Sequence, residues 1–221
     1  DTIASMKLGV VNPSNGTALL SWNPIANPLF PSSTGLYKIY LEYPAGTWSL
    51  KGQTHTLKYV DSITVCNAAI NYKVEMEDTT GCISVSSIAG GTFKNTIPPI
   101  TPLLDTISVD DNNKIIMGWP NSISSDVKAY VIYKKQGSAN NLIDTVFDAT
   151  FYYYAQSNPD LLSESYLIAA LDSCGNIGLL GTPLSTMYLK AAPDICDRSA
   201  ILTWTPYNTI GTGLEGYRIF Q

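Results

Sequence analysis

His55 is the only histidine in the 221-residue chain, and it stands between Thr54 and Thr56 in a stretch that reads as a short strand. A Ser-His-Asp triad needs an imidazole beside a nucleophile and an orienting acid, and protein zinc sites draw on several nitrogen or sulfur ligands. Nothing in the pattern around His55 supplies those companions, so it reads as an outward strand residue. The four cysteines, Cys66, Cys82, Cys174 and Cys196, lie too far apart for a zinc knuckle or a Cys-x-x-Cys redox pair. Asp110-Asp-Asn-Asn113 gathers the hard oxygens that calcium prefers. Its spacing is not that of an EF-hand, and Asx-rich stretches form turns by bonding their own backbone, so a turn is expected. No Gly-x-Ser-x-Gly, His-Glu-x-x-His or phosphate loop occurs. No enzyme, no cofactor and no metal site is expected.

The composition narrows the partners. Charged residues make up only 14% of the chain, the formal net charge is −5 and the pI is about 4.7. Nucleic acid and anionic membrane surfaces both demand Lys/Arg patches that this balance does not provide. No 18-residue apolar run could span a bilayer as a helix, so no membrane insertion is expected. No basic-plus-apolar leader opens the sequence; a signal peptide, had there been one, would already be removed. With 14 tyrosines among many Ser, Thr and Asn, the chain suits half-buried strands on an extracellular, outer-membrane or periplasmic protein.

The positioning elements recur. Thr17-Ala-Leu-Leu-Ser-Trp22, Lys114-Ile-Ile-Met-Gly-Trp119 and Ala200-Ile-Leu-Thr-Trp204 are each followed by a Tyr-bearing strand: Tyr37, Tyr130 and Tyr217 respectively. The tryptophans are 97 and 85 residues apart, a period that means an array of small domains. Period-2 alternation predicts about seven strands in each of the first two units. In unit one they are Met6–Val11, Thr17–Trp22, Leu36–Tyr43, Trp48–Leu50, Thr54–Val60, Asn71–Glu77 and Cys82–Ile88, with a stiff loop at Pro24, Pro28 and Pro31. In unit two, Asn71–Glu77 is matched by Ser165–Leu171, and Ile177–Leu180 closes the sheet. No segment longer than ten residues has helical period. The expected divisions are 1–95, 96–186 and 187–221, with a Gly-then-Pro linker over about 90–102. The last division holds three strands, the third at Gly216–Phe220. A half-sandwich leaves one sheet face open, so this reads as a truncated module of a longer chain.

Trp in the second strand, Tyr in the third and Leu161-Leu162…Tyr166 ahead of the sixth resemble fibronectin type III modules. The resemblance covers the whole chain. It implies an all-β fold of tandem immunoglobulin-like sandwiches, structural core positions at Trp22, Tyr37, Tyr72, Trp119, Tyr130, Tyr166, Trp204 and Tyr217, and tyrosine corners at Tyr72 and Tyr166. Phrases such as Ser124-Ser-Asp-Val127 and Ala169-Ala-Leu-Asp172-Ser-Cys-Gly-Asn176 resemble large surface or secreted proteins of Bacteroides-type bacteria, gliding-motility-associated or T9SS-sorted, in which such modules act as spacers. Where the corner pattern calls for Leu, six residues before Tyr72, this chain has Cys66. Cys66 is then either a small core residue or, because the end-to-end geometry of such modules brings the loop before strand six toward the turn after strand six of the next, a possible disulfide partner of Cys174. Cys66 and Cys82 sit at opposite ends of a strand, beyond disulfide reach. If module ends carry calcium, Asp61 and Asp172 are candidates.

What the resemblance implies for function is a structural or display module, whose partners are the other domains of the same long chain. Two alternatives stand beside it. Exposed aromatics among Tyr40, Tyr43, Trp48 and Phe151-Tyr-Tyr-Tyr154, or open strand edges, could bind a glycan or a surface protein in adhesion. The modules could also be accessory domains of a larger secreted enzyme.

Overall fold

The computed structural model describes residues 6–25, 32–207 and 213–220; Pro28 and Pro31 of the expected stiff loop lie outside them. Every regular element among the described residues is a β-strand, and every pairing is antiparallel. The chain divides into two compact units, Asp1–Ile97 and Pro98–Gln221.

The first unit contributes β1 (Leu8–Val11), β2 (Thr17–Trp22), β3 (Ser32–Glu42), β4 (Trp48–Thr54), β5 (Lys58–Ser62), β6 (Ala68–Asp78), β7 (Ile83–Val85) and β8 (Ala89–Phe93). One sheet runs β1-β2-β5; the other runs β4-β3-β6, with β7 and β8 both on the far side of β6. Alternation explains why these segments are strands. In β2, Ala18, Leu20 and Trp22 are buried while Leu19 and Ser21 face out; in β6, Ile70, Tyr72, Val74 and Met76 are buried. The two inner faces meet in one core that also takes Met6, Ile39 and Phe93.

Two expectations need correcting here. The closing strand does not stop at Ile88, and Gly90-Gly91 is not flexible linker. Ser87 N bonds Met6 O at 3.0 Å, which interrupts the ladder, and β8 then pairs with Ala68–Tyr72 of β6. Gly90 is glycine because the backbone passes so close to β6 that a Cβ would lie 2.1 Å from Ile70 O. His55 is exposed and lies in the bend after β4, not in a strand. Thr56 N bonds Thr54 Oγ1 at 3.1 Å and Thr56 Oγ1 bonds Lys58 O at 2.9 Å, so the threonine hydroxyls close a turn around it.

The second unit repeats the plan with β9 (Thr106–Val109), β10 (Ile115–Gly118), β11 (Val127–Gln136), β12 (Ala139–Phe147), β13 (Phe151–Tyr154), β14 (Ser165–Asp172) and β15 (Leu184–Ser185). Its sheets run β13-β10-β9 and β12-β11-β14-β15. Seven strands split three and four are the immunoglobulin-like sandwich of the type III kind. The closing segment again departs from the expected Ile177–Leu180. Ile177 makes an isolated bridge to Leu171, Gly178 and Gly181 donate to Ala170 O and Ile168 O, and only then does β15 form. An edge strand is paired on one side only, so irregularity there costs few hydrogen bonds.

The turns repeat as well. Asp78 accepts Thr80 N and Cys82 N at 2.8 and 2.9 Å, with Gly81 at φ +85°. Asp172 accepts Cys174 N and Asn176 N at 2.9 and 2.7 Å, with Gly175 at φ +89°. An Asx side chain holds the turn's N–H groups while glycine takes the left-handed φ.

After β15 the second unit carries a hairpin, β16 (Leu189–Asp194) with β17 (Ser199–Trp204). Tyr207, just beyond it, packs against the core of the preceding sandwich. The third strand expected at Gly216–Phe220 is not formed: residues 213–220 have no strand pairing among the described residues. A segment becomes a strand only through a ladder, and what holds this one is an aromatic contact described below.

Candidate functional site

Six of the core positions expected from the sequence, Trp22, Tyr37, Tyr72, Trp119, Tyr130 and Tyr166, are buried; Trp204 is only half-buried and Tyr217 is 39% exposed, because among the described residues only a hairpin stands beside them. Trp22 meets Tyr37 edge-on with ring centroids 5.5 Å apart, and Trp119 meets Tyr130 in the same way at 5.5 Å. The third pair, Trp204 and Tyr217, is 5.2 Å apart. Edge-to-face packing places the positive ring edge on the negative face.

Tyr72 and Tyr166 are fully buried, and each donates its hydroxyl to a buried carboxylate. Tyr72 reaches Asp61 Oδ2 at 2.8 Å, and Asp61 Oδ1 pairs with Lys51 Nζ at 3.0 Å. Tyr166 reaches Glu164 Oε2 at 2.6 Å, and Lys134 Nζ pairs with the other carboxylate oxygen. A tyrosine corner bonds the backbone upstream; here a carboxylate takes that place, and a lysine offsets its buried charge. Burial first, then the partner carboxylate, pushes both phenols well above the ordinary tyrosine value. Asp61 is thereby committed to the corner, and Asp172 to its turn, where it also accepts Asn176 Nδ2 at 2.8 Å.

Asp110 behaves as a turn residue. Its Oδ1 accepts Asn112 N at 3.0 Å and Lys114 N at 2.7 Å, and Asn113 takes φ +58°. Cys82 and Cys196 are exposed free thiols. Cys66 is exposed in the bend before β6, which removes its reading as a core residue; Val65, one position earlier, packs against the core instead. Cys174 is half-buried in the turn after β14.

The aromatics separate into covered and open. Lys73 Nζ stands 5.1 Å from the Tyr40 ring and 5.0 Å from the Trp48 ring, so a protein cation already occupies those faces. Tyr152 and Tyr154 stack on each other inside the second unit, and Tyr154 meets Tyr166. Tyr43, Phe151 and Tyr153 remain exposed.

Phe151 borders a cleft of about 530 Å³ in the second unit. The loop between β10 and β11 supplies Asn121 and Ser124; β11 supplies Lys128 and Tyr130; the β12–β13 turn supplies Asp148. Ser122 N donates to Tyr130 Oη at 2.8 Å, and among the described residues no acceptor takes the phenol proton. Asp148 holds φ +52°, a conformation uncommon outside glycine that turns its side chain's backbone sharply. Phe151 pairs across the sheet with Gly118, which pairs with Thr106, so the neighbour beside the ring has no side chain. Of these residues the sequence singles out Phe151 as an exposed aromatic and Tyr130 as a core position. The others come together through two loops about 25 residues apart, and no periodic signal marks such a meeting.

No protein-family model matches the chain, and no curated protein matches it in sequence. Among solved structures it is similar to the FN1–FN3 domains of chicken CNTN1, with 15% identity, a TM-score of 0.39, and coverage of 85% of this chain and 66% of that one. The fold assignment rests on the strand order of each unit.

Proposed function

We propose that the chain is a run of non-catalytic spacer modules within a larger secreted or cell-surface protein, of the kind found in Bacteroides-type bacteria. The observation that supports this is repetition. One sandwich plan is built twice, each time around its own closed core, and the Trp–Tyr pair that seeds it occurs a third time. In an array each module is a stiff element, and stability accrues module by module.

A disulfide between Cys66 and Cys174 belongs to the same reading. Cys82 and Cys196 are the free thiols, Cys66 lies exposed before β6, and Cys174 sits in the turn after β14. Such a bridge fixes the angle between consecutive modules and requires an oxidising compartment. The test is intact mass and thiol counting with and without reductant, followed by small-angle scattering. Two free thiols, a peptide joining Cys66 to Cys174 and a distribution of shapes that broadens on reduction are expected. Four free thiols would remove the bridge. A single concerted melting transition of the reduced chain would overturn the array of independent modules.

A further inference from the structure

The cleft beside Phe151 is an open site whose chemistry can be read from its walls. Its volume of about 530 Å³ falls in the range that small-ligand sites occupy. Asn121, Lys128 and Asp148 line it, and their side chains have no protein partner among the described residues. Asn121 offers both a donor and an acceptor, Lys128 donors only, and Asp148 acceptors only. Tyr130, only 6% exposed, brings a phenol whose oxygen already accepts Ser122 N and whose proton is unspent. Ser124 Oγ likewise accepts Ile100 N at 2.9 Å and keeps a proton to give.

One carboxylate and one ammonium cancel, so the site as a whole carries no net charge. An anion would meet Asp148 and a cation would meet Lys128. A purely apolar ligand would leave these five polar side chains desolvated. A molecule with hydroxyl groups that donate and accept, and with one flat C–H face, satisfies every wall. The C–H face has a place to lie: the Phe151 ring is 65% exposed and its cross-strand neighbour is Gly118.

We propose that this cleft binds a neutral pyranose unit of a glycan, stacked on Phe151 and hydrogen-bonded by Asn121, Asp148, Lys128 and Tyr130. The assignment goes beyond the spacer reading and does not depend on it: a module can hold distance and still grip a glycan.

The test titrates the 221-residue chain with neutral hexasaccharides of β-1,4-linked glucose, mannose and xylose, and with an α-1,4-galacturonate hexasaccharide as the anionic contrast. Backbone amide shifts are followed by NMR. At least one neutral hexasaccharide is expected to move the amides of residues 121–130 and 148–151. Phe151→Ala and Asp148→Gly, the latter preserving the left-handed backbone, should each weaken binding by about tenfold or more. Tyr153→Ala removes another exposed ring, 45% accessible, on the same strand face outside the cleft and should change nothing. The proposal is overturned if no neutral sugar shifts these amides at about 10 mM, a concentration that would reveal even millimolar affinity. Tighter binding of the galacturonate, or equal losses from Tyr153→Ala and Phe151→Ala, would also overturn it.

Discussion

Trp204 and Tyr217 lie edge-to-face at 65°, against 66° for Trp119–Tyr130 and 64° for Trp22–Tyr37. In the two complete sandwiches that contact is held by sheets on both sides. In the third it persists with only a hairpin beside it among the described residues, so the contact does not need a second sheet to hold the Tyr-bearing segment.

If so, Tyr217 is what holds residues 213–220 in place. Tyr207 N donates to Tyr217 Oη at 3.0 Å. Tyr217→Phe keeps the ring contact and loses this bond, so the Tyr207 amide should exchange roughly fivefold faster, the equivalent of about 1 kcal/mol. Tyr217→Ala should release the whole segment to protease while the melting of unit one stays unchanged. An unchanged Tyr207 amide in the Phe variant would show that the bond carries nothing.

The buried tyrosine–carboxylate pairs set a second expectation. Tyr72→Phe leaves Asp61 with Lys51 alone, and Tyr166→Phe takes from Glu164 its shortest neutral donor. Each should cost its own unit about 1.5–3 kcal/mol, the range for a hydrogen bond to a charged group, read from urea unfolding. Lys51 is a third exposed, so Lys51→Met should cost less than Tyr72→Phe. A Lys51→Met cost equal to that of Tyr72→Phe would mean the ion pair, not the phenol, secures the corner.

How far this arrangement could be read in advance depends on whether its parts are local. The strands, the Trp–Tyr pairs and the burial of Tyr72 and Tyr166 follow from alternation and from the repeat, because a residue's face in a strand is set by its immediate neighbours. The carboxylate partners were not legible. Asp61 stands 11 residues before its tyrosine and Glu164 only two: a position within β5 and one just ahead of β14 solve one problem, and no spacing rule covers both. The closing strands were misplaced for a related reason. Gly90 looks like linker by composition, yet it is fixed by proximity to Ile70 O, which only the folded sheet reveals.

Alkaline titration separates the tyrosines. Burial, then the hydrogen bond to Asp144, pushes Tyr152 up to about 12, and Tyr72 and Tyr166 are shifted in the same direction. A phenol whose folded value exceeds the ordinary value of about 10 favours folding in its protonated form. That contribution is complete below about pH 10 and is lost as pH rises through the folded value. In ultraviolet titration Tyr72, Tyr152 and Tyr166 should ionise above the ordinary phenol value, and the release of the buried Tyr72 and Tyr166 should coincide with unfolding. Tyr152→Phe should flatten the loss of stability between about pH 10 and 12. Ionisation of Tyr72 and Tyr166 together with the exposed tyrosines, in a chain still folded, would contradict their burial.

Gly90 offers a test of close approach rather than of backbone φ. A methyl group there would meet Ile70 O at 2.1 Å and the Asn71 Cα at 2.8 Å. Both are main-chain atoms that cannot turn aside as a side chain could, so β8 must lift from β6. Gly90→Ala should therefore destabilise unit one by about 1–3 kcal/mol, the usual range for overpacking, and expose Phe93, which is 1% accessible. Gly9→Ala is the matched control. It too lies in a strand, but its added carbon would find only Ser21 O and Oγ at 3.7 Å, an ordinary contact. There the methyl group merely restricts the unfolded chain and should be neutral or stabilising by up to about 1 kcal/mol. Chemical denaturation of the two variants side by side decides the point. Equal effects would mean that the Gly90 strand is free to move, and that β8 is held by its hydrogen bonds alone rather than by the tight seating of its backbone against Ile70.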